Sequence, residues 1–287
     1  MFEIKGKVST ALCYANVVED EAIEQIRRMC DYEFTAGSEI RIMPDVHAGK
    51  GCTIGTTMTI TDKVVPNIVG VDIGCGMYTV ELGKVDIDFE RVDEAAHFIP
   101  SGHNTWEGRL ERFDLTGLRC YRSLKLTKRL EKSLGTLGGG NHFIEIDAAA
   151  DGTKYLVIHS GSRNLGKQVA EIYQALAVDL NMGKEELFKK QDELIRSYKV
   201  KGRRSEIDAA LKALKKEWKA NEPTIPPDLC YVYGKYMEDY LHDVEICQRF
   251  AKRSRERMAE ILLARTDMQA LSAFHTIHNY ISTDEMI

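Results

Sequence analysis

A chain of 287 residues, 44% hydrophobic and 29% charged, can fill one large domain or two modest ones with a proper apolar core. No apolar run approaches a membrane span, and the N-terminus MFEIKGKVSTALC lacks the layout of a secretory signal, so a cytoplasmic protein without membrane association is expected. The net charge of −5 argues against wholesale coating of nucleic acid and leaves room for a local basic groove.

Taken in chain order, residues 20–32 read as a helix, with Ala22, Ile23, Ile26, Met29 and Cys30 near helical spacing. Residues 38–83 alternate short β-rich runs (EIRIM, TIGTTMTI, NIVGVDI, MYTVEL) with glycine-rich turns, the pattern of strands that present loops. A helix is expected over 89–98, ending ahead of Pro100, because a proline restricts the residue before it. Strands return as HFIEI and YLVIH around a turn at Asp151-Gly152, and a helix over 166–181 follows. Residues 184–220 form a charged insert that reads as two amphipathic helices joined near 201–204, a solvated hairpin rather than an RNA grip. A further helix is expected over 231–263, with Arg249, Lys252, Arg253, Arg255 and Arg257 forming a wet face.

Seven cysteines, Cys13, Cys30, Cys52, Cys75, Cys120, Cys230 and Cys247, are an odd number without framework spacing. Reduced thiols are expected, one or two of them available for metal or chemistry.

Four glycine-rich stretches carry most of the chemical information: MPDVHAGKG (43–51), VGVDIGCG (69–76), LGGGNHFIE (137–145) and HSGSRNLG (159–166). In the second, a strand is expected to end at Val71, followed by Asp72 and Cys75 among glycines that let both side chains turn toward one ion. That pair alone is equally well explained by a turn-forming aspartate and a buried thiol. Two strand-end histidines, His142 and His159, and a later His-x-x-His-Asn (275–279) shift the balance toward a divalent transition metal, with zinc, iron and manganese all open. Gly138-Gly139-Gly140 and the run His-Ser-Gly-Ser-Arg before a helix N-terminus offer backbone N–H groups, hydroxyls and a guanidinium to a phosphate. No Walker-type sequence is present, which disfavours a P-loop NTPase.

These four segments, in this order, with the terminal HTIHNY as a fifth, resemble the signature segments of the RtcB RNA ligase family. The resemblance implies an α+β fold particular to that family, a single domain over 1–287 with glycine-rich loops at strand ends around a central metal cleft and the helical insert at 184–220. It implies two Mn(II) ions per chain, with Cys75 bridging, Asp72 and His142 completing one site, and His159 and His278 the other. His278 is preferred to His275 because the family's ligand directly precedes the asparagine. Asn141, Glu145, Arg163 and Asn279 are expected around guanylate or RNA phosphate, Glu145 reading the guanine edge. Asp45 and His47 match a motif lining the cleft.

The implied reaction uses GTP to join an RNA 3′-phosphate or 2′,3′-cyclic phosphate to a 5′-hydroxyl, as in tRNA splicing or RNA repair, through a histidine–guanylate adduct. An activating protein partner is also implied. The family's nucleophilic histidine sits in a His-Gly-x-Gly-Arg segment, and none of the eight histidines here has that setting, so a C-terminally shortened ligase unable to form the adduct is expected. Two alternatives need only the residues present: a metal-dependent phosphohydrolase or nuclease, and a non-catalytic RNA-binding fragment.

Overall fold

A computed structural model of the protein describes residues 1–49, 51–218 and 224–282. Lys50 of the first motif and the last two residues of the 184–220 segment lie outside the described residues. The chain is mixed α+β and opens with β1 (Phe2–Lys5), β2 (Thr10–Cys13), α1 (Asp20–Met29), β3 (Ile40–His47), β4 (Ile54–Met58) and β5 (Lys63–Val64). Next come α2 (Pro66–Val69), β6 (Gly76–Gly83), α3 (Phe89–His97), α4 (Thr127–Glu131), β7 (Phe143–Ala148) and β8 (Lys154–Ser160). The remainder is α5 (Arg163–Asn181), α6 (Glu185–Val200), α7 (Ile207–Glu217), β9 (Val232–Tyr233), α8 (Gly234–Thr266) and β10 (Ser272–Ile277). Among the described residues no helix is long and apolar enough to cross a membrane.

Two compact units result: Met1–Ile68 with Tyr173–Met237, and Val69–Ile172 with Glu238–Ile287. In the first, a sheet of order β1-β2-β3-β4 has β2 and β3 parallel and its other pairs antiparallel. Helix α1 buries Ala22, Ile26 and Met29, one stripe at i, i+4 and i+7, against Ile4, Ile40 and Ile42. Asp20 and Glu21 in its first turn and Arg27 and Arg28 in its last complement the helix dipole. The charged segment forms α6 and α7, which pack on one another.

The second unit is built on an antiparallel sheet of order β10-β6-β8-β7. Its register sets Ile144, Ile158 and Tyr78 in one row and Ile146, Leu156 and Val80 in the next, all on one face. That face packs on Met258, Ala259 and Leu262 of α8. By the two-residue period of a strand, the opposite face carries Met77, His159, Phe143 and Glu145.

The run NIVGVDI, expected as a strand ending at Val71, is instead the short helix α2 followed by a bend at Val71-Asp72. Pro66 opens that helix, where its missing N–H costs nothing, and so short an apolar run carries no periodicity to tell strand from helix. Strands β1, β2 and β10 were not legible in the pattern.

Candidate metal centre

Strand register gathers the ligand-type side chains at one end of the second unit's sheet. Gly76 pairs with Ser160 on one side and with Ile277 on the other, and Phe143 pairs with His159. Cys75, His142, His159 and His278 therefore sit within a residue of these paired positions on four neighbouring strands. Asp72 joins them from the turn before β6, where the Cys75 N–H donates to the Asp72 carbonyl at 3.0 Å.

The donor atoms converge. Cys75 Sγ is 3.5 Å from His142 Nε2 and 3.3 Å from His159 Nε2, and His142 Nε2 is 3.0 Å from Asp72 Oδ2. His159 Nε2 and His278 Nε2 are 3.4 Å apart. Two three-residue groups emerge, Asp72–Cys75–His142 and Cys75–His159–His278, each with its donor atoms within 4.8 Å of one another and both using the same thiol. Donors bonded to a common ion at about 2.0–2.3 Å stand about 3–3.7 Å apart, the spacing of the close pairs here.

The outer nitrogens fix the rings. His142 Nδ1 lies 3.0 Å from the Leu137 carbonyl and His159 Nδ1 lies 3.0 Å from the Asn141 carbonyl, so each Nδ1 carries the proton and donates it. The Nε2 lone pairs then face the thiol and the carboxylate, the tautomer a metal ligand needs. Arg163 Nη1 is 3.2 Å from His142 Nδ1 and, both being donors, this contact is no hydrogen bond. Asp72 Oδ1 is buried without a partner, and the Nε2 atoms of His159 and His278 face each other at 3.4 Å, an arrangement suited to a cation between them. Burial, followed by the neighbouring Asp72 carboxylate, pushes the Cys75 thiol up to about 12. Burial also pushes His159 below the ordinary histidine range.

Two glycines make this approach possible. A Cβ at Gly161 would stand 2.2 Å from Asp72 Oδ1, and one at Gly138 would stand on the Arg163 guanidinium. Arg163 itself has φ 60°, a left-handed conformation that costs a non-glycine residue about 1–3 kcal/mol and turns its side chain under the glycine loop. Its Nη2 donates to the Gly102 carbonyl at 3.3 Å.

Beside the cluster lies a cavity of about 520 Å³ whose walls include Asp72, His142, Arg163, Lys167, Arg129 and Asn141. Three cations against one carboxylate give it a net positive lining, which favours an anion. Asn279 holds the cluster's backbone: its carbonyl accepts from Gly74 N–H at 2.6 Å and its Nδ2 donates to the Asp72 carbonyl at 3.3 Å. Glu145 is exposed on the sheet face that carries His159. Asp45 and His47 belong to the other unit, exposed on β3, with His47 Nδ1 3.0 Å from the Asp45 carbonyl. His275 is not in the cluster; it stacks on Tyr78 at 4.2 Å and its Nε2 is 3.3 Å from Glu256 Oε1.

The expectation of a wet basic face on the last long helix fails at Arg255, which is fully buried. It lies on the stripe with Ala251, Met258, Ala259 and Leu262, at i−4, i+3, i+4 and i+7. That phase is legible in the sequence, where it conflicts with the residue's charge. The neighbouring Ser254 Oγ, also buried, accepts from Gly135 N–H at 2.9 Å.

The fold and site together define a mixed α+β protein with a thiol–imidazole–carboxylate centre at its strand ends and a cation-lined cavity next to it. The sequence profile described as tRNA-splicing ligase RtcB matches residues 25–114 and 119–287, and the chain belongs to the RtcB family. It is 28% identical to the RNA-splicing ligase RtcB of Escherichia coli K12 over 305 residues, covering 93% of this chain and 65% of that protein. The tRNA-splicing ligase RtcB of Archaeoglobus fulgidus is 29% identical over 212 residues, covering 53% of this chain and 43% of that protein. The chain thus spans about two thirds of the length of the Escherichia coli relative it matches.

Proposed function

We propose that this chain carries the metal- and phosphate-handling part of an RNA ligase that uses GTP and Mn(II) to join a 3′-phosphate or 2′,3′-cyclic phosphate end to a 5′-hydroxyl end. The reading rests on the two donor groups sharing Cys75 beside a cation-lined cavity, in a chain of the RtcB family. Asp72, Cys75 and His142 would hold one ion and Cys75, His159 and His278 the other. When bound, such ions polarise phosphoryl oxygens and offset the charge that develops on them.

The chain's own residues supply the rest. The Leu137 and Asn141 carbonyls keep His142 and His159 in the ligating tautomer. Arg163 offers a phosphate a guanidinium held from three sides, by Thr136, Gly102 and the glycine loop. Lys167 and Arg129 extend the positive wall along which an RNA backbone can lie. Glu145 is assigned to the guanine N–H edge. Asp45 and His47 are assigned to substrate contact by their motif alone.

The test is Mn(II) binding together with RNA-end selectivity. Binding of about two ions, lost in Cys75→Ala, is expected. So is tighter binding of a short RNA ending in a 3′-phosphate than of the same RNA ending in a hydroxyl, a preference that Arg163→Ala removes. A folded sample that takes up no Mn(II) overturns the reading. Release of phosphate from such RNA without GTP moves it to a phosphohydrolase.

A further inference from the structure

Arg255 is the largest fully buried side chain among the described residues. Its Nη1 donates to two carbonyls at once, Gly74 at 2.8 Å and Ser160 at 2.6 Å. Gly74 immediately precedes Cys75, and Ser160 immediately follows His159. Its Nε and Nη2 are buried without hydrogen-bond partners. Burying a cation with donors to spare is costly, and an apolar side chain of similar length would serve packing alone as well or better. The guanidinium therefore calls for a role that packing does not provide.

We propose that Arg255 is a positioning residue for the metal centre: one nitrogen clamps the two backbones that carry the shared thiol and His159, setting the separation of Cys75 Sγ and His159 Nε2. The proposal rests on the metal-binding reading above. It accounts for both short bonds converging on a single nitrogen, since a donor shared by two carbonyls fixes the carbonyls relative to each other. Helix α8 holds the other ligand segments by independent ties. Ser254 accepts from Gly135 ahead of the His142 loop, and Gln248 Oε1 accepts from Ile281 N–H at 2.9 Å beyond His278. Arg255 is the tie that reaches the position common to both donor groups.

The experiment compares Mn(II) affinity of the full chain with that of Arg255→Met, Arg255→Lys and Asp243→Asn, each checked for folding by near-ultraviolet circular dichroism. Asp243 is the control: it is fully buried on the same helix and accepts from Arg119 N–H at 2.8 Å and Cys120 N–H at 3.0 Å, a loop that carries no cluster residue. Arg255→Met is expected to weaken Mn(II) binding about 10–100-fold, the usual effect of losing an outer support of a metal ligand. Arg255→Lys, which keeps one cationic donor nitrogen on a shorter arm, is expected to recover only part of that loss and to stay measurably weaker than the unaltered chain, and Asp243→Asn to lower the melting temperature without moving the affinity.

A folded Arg255→Met with unchanged affinity overturns the proposal. If Arg255→Met does not fold, Arg255→Lys decides: a larger affinity loss than Asp243→Asn supports the clamp, and an equal one overturns it. Failure of the unaltered chain to bind Mn(II) removes the metal reading and the clamp with it, whereas normal binding that Arg255 does not influence removes the clamp alone.

Discussion

At the scale of single residues, the centre depends on a backbone that gives way to side chains. Gly161 is the sharpest case, because a methyl group there would stand 2.2 Å from Asp72 Oδ1. The cheaper adjustment is for the short carboxylate arm to swing away, since moving Gly161 would disturb the end of β8. Gly161→Ala is therefore expected to fold with little change in melting temperature and to lose at least about tenfold in Mn(II) affinity. Titration of the variant by electron paramagnetic resonance checks this, and undiminished affinity would show that Asp72 is no ligand.

His275 provides a second residue-scale prediction. Its Nε2 faces Glu256 while its Nδ1 is buried without a partner, so a second proton on the ring would find no acceptor. Burial, with Arg255 nearby, pushes its pKa down to about 4. Between about pH 6.5 and 4 the unfolded chain binds the proton and the folded one does not, so this contribution to stability is complete above pH 6.5 and lost as pH falls toward 4. Urea unfolding at pH 7 and pH 5 in the presence of chelator is expected to show a smaller drop for His275→Gln than for the unaltered chain. Equal drops would mean that the ring titrates normally in the folded state.

At the scale of elements, the legible features were those with a local cause. Helices α1 and α3 and strands β7 and β8 follow from apolar spacing and from Pro100, and the charged segment read correctly as two helices broken near 201–204. Strand β10 was illegible because it is an edge strand with five of its six residues exposed and hence no burial alternation to read. The cluster residues could be named from motif order, but the reason they meet lies in register. Only the pairing of Gly76 with both Ser160 and Ile277 puts segments so distant along the chain at one sheet end. Arg255 shows the converse: helical phase marks it as inward-facing, while its charge is of the kind almost always found at the surface.

At the scale of the whole molecule, a centre formed from four strand ends and a turn exists only in the folded state, so an ion bound there must stabilise the unit that forms it. At an Mn(II) concentration 100 times the dissociation constant the gain is about 2.7 kcal/mol. The chain has two compact units, and the cluster residues all belong to Val69–Ile172 and Glu238–Ile287, so the effect should be local rather than general. Hydrogen exchange resolved by peptide is the fitting measurement, because it reads each unit separately. Mn(II) is expected to slow exchange along β6 and β8 by up to about 100-fold, the factor equivalent to that free energy, and to leave β1 to β4 unchanged. Excess chelator should restore the faster rate, and Cys75→Ser should abolish the response because it weakens both donor groups at once. Equal protection of both units, or protection that persists in Cys75→Ser, would place the ion somewhere other than this centre.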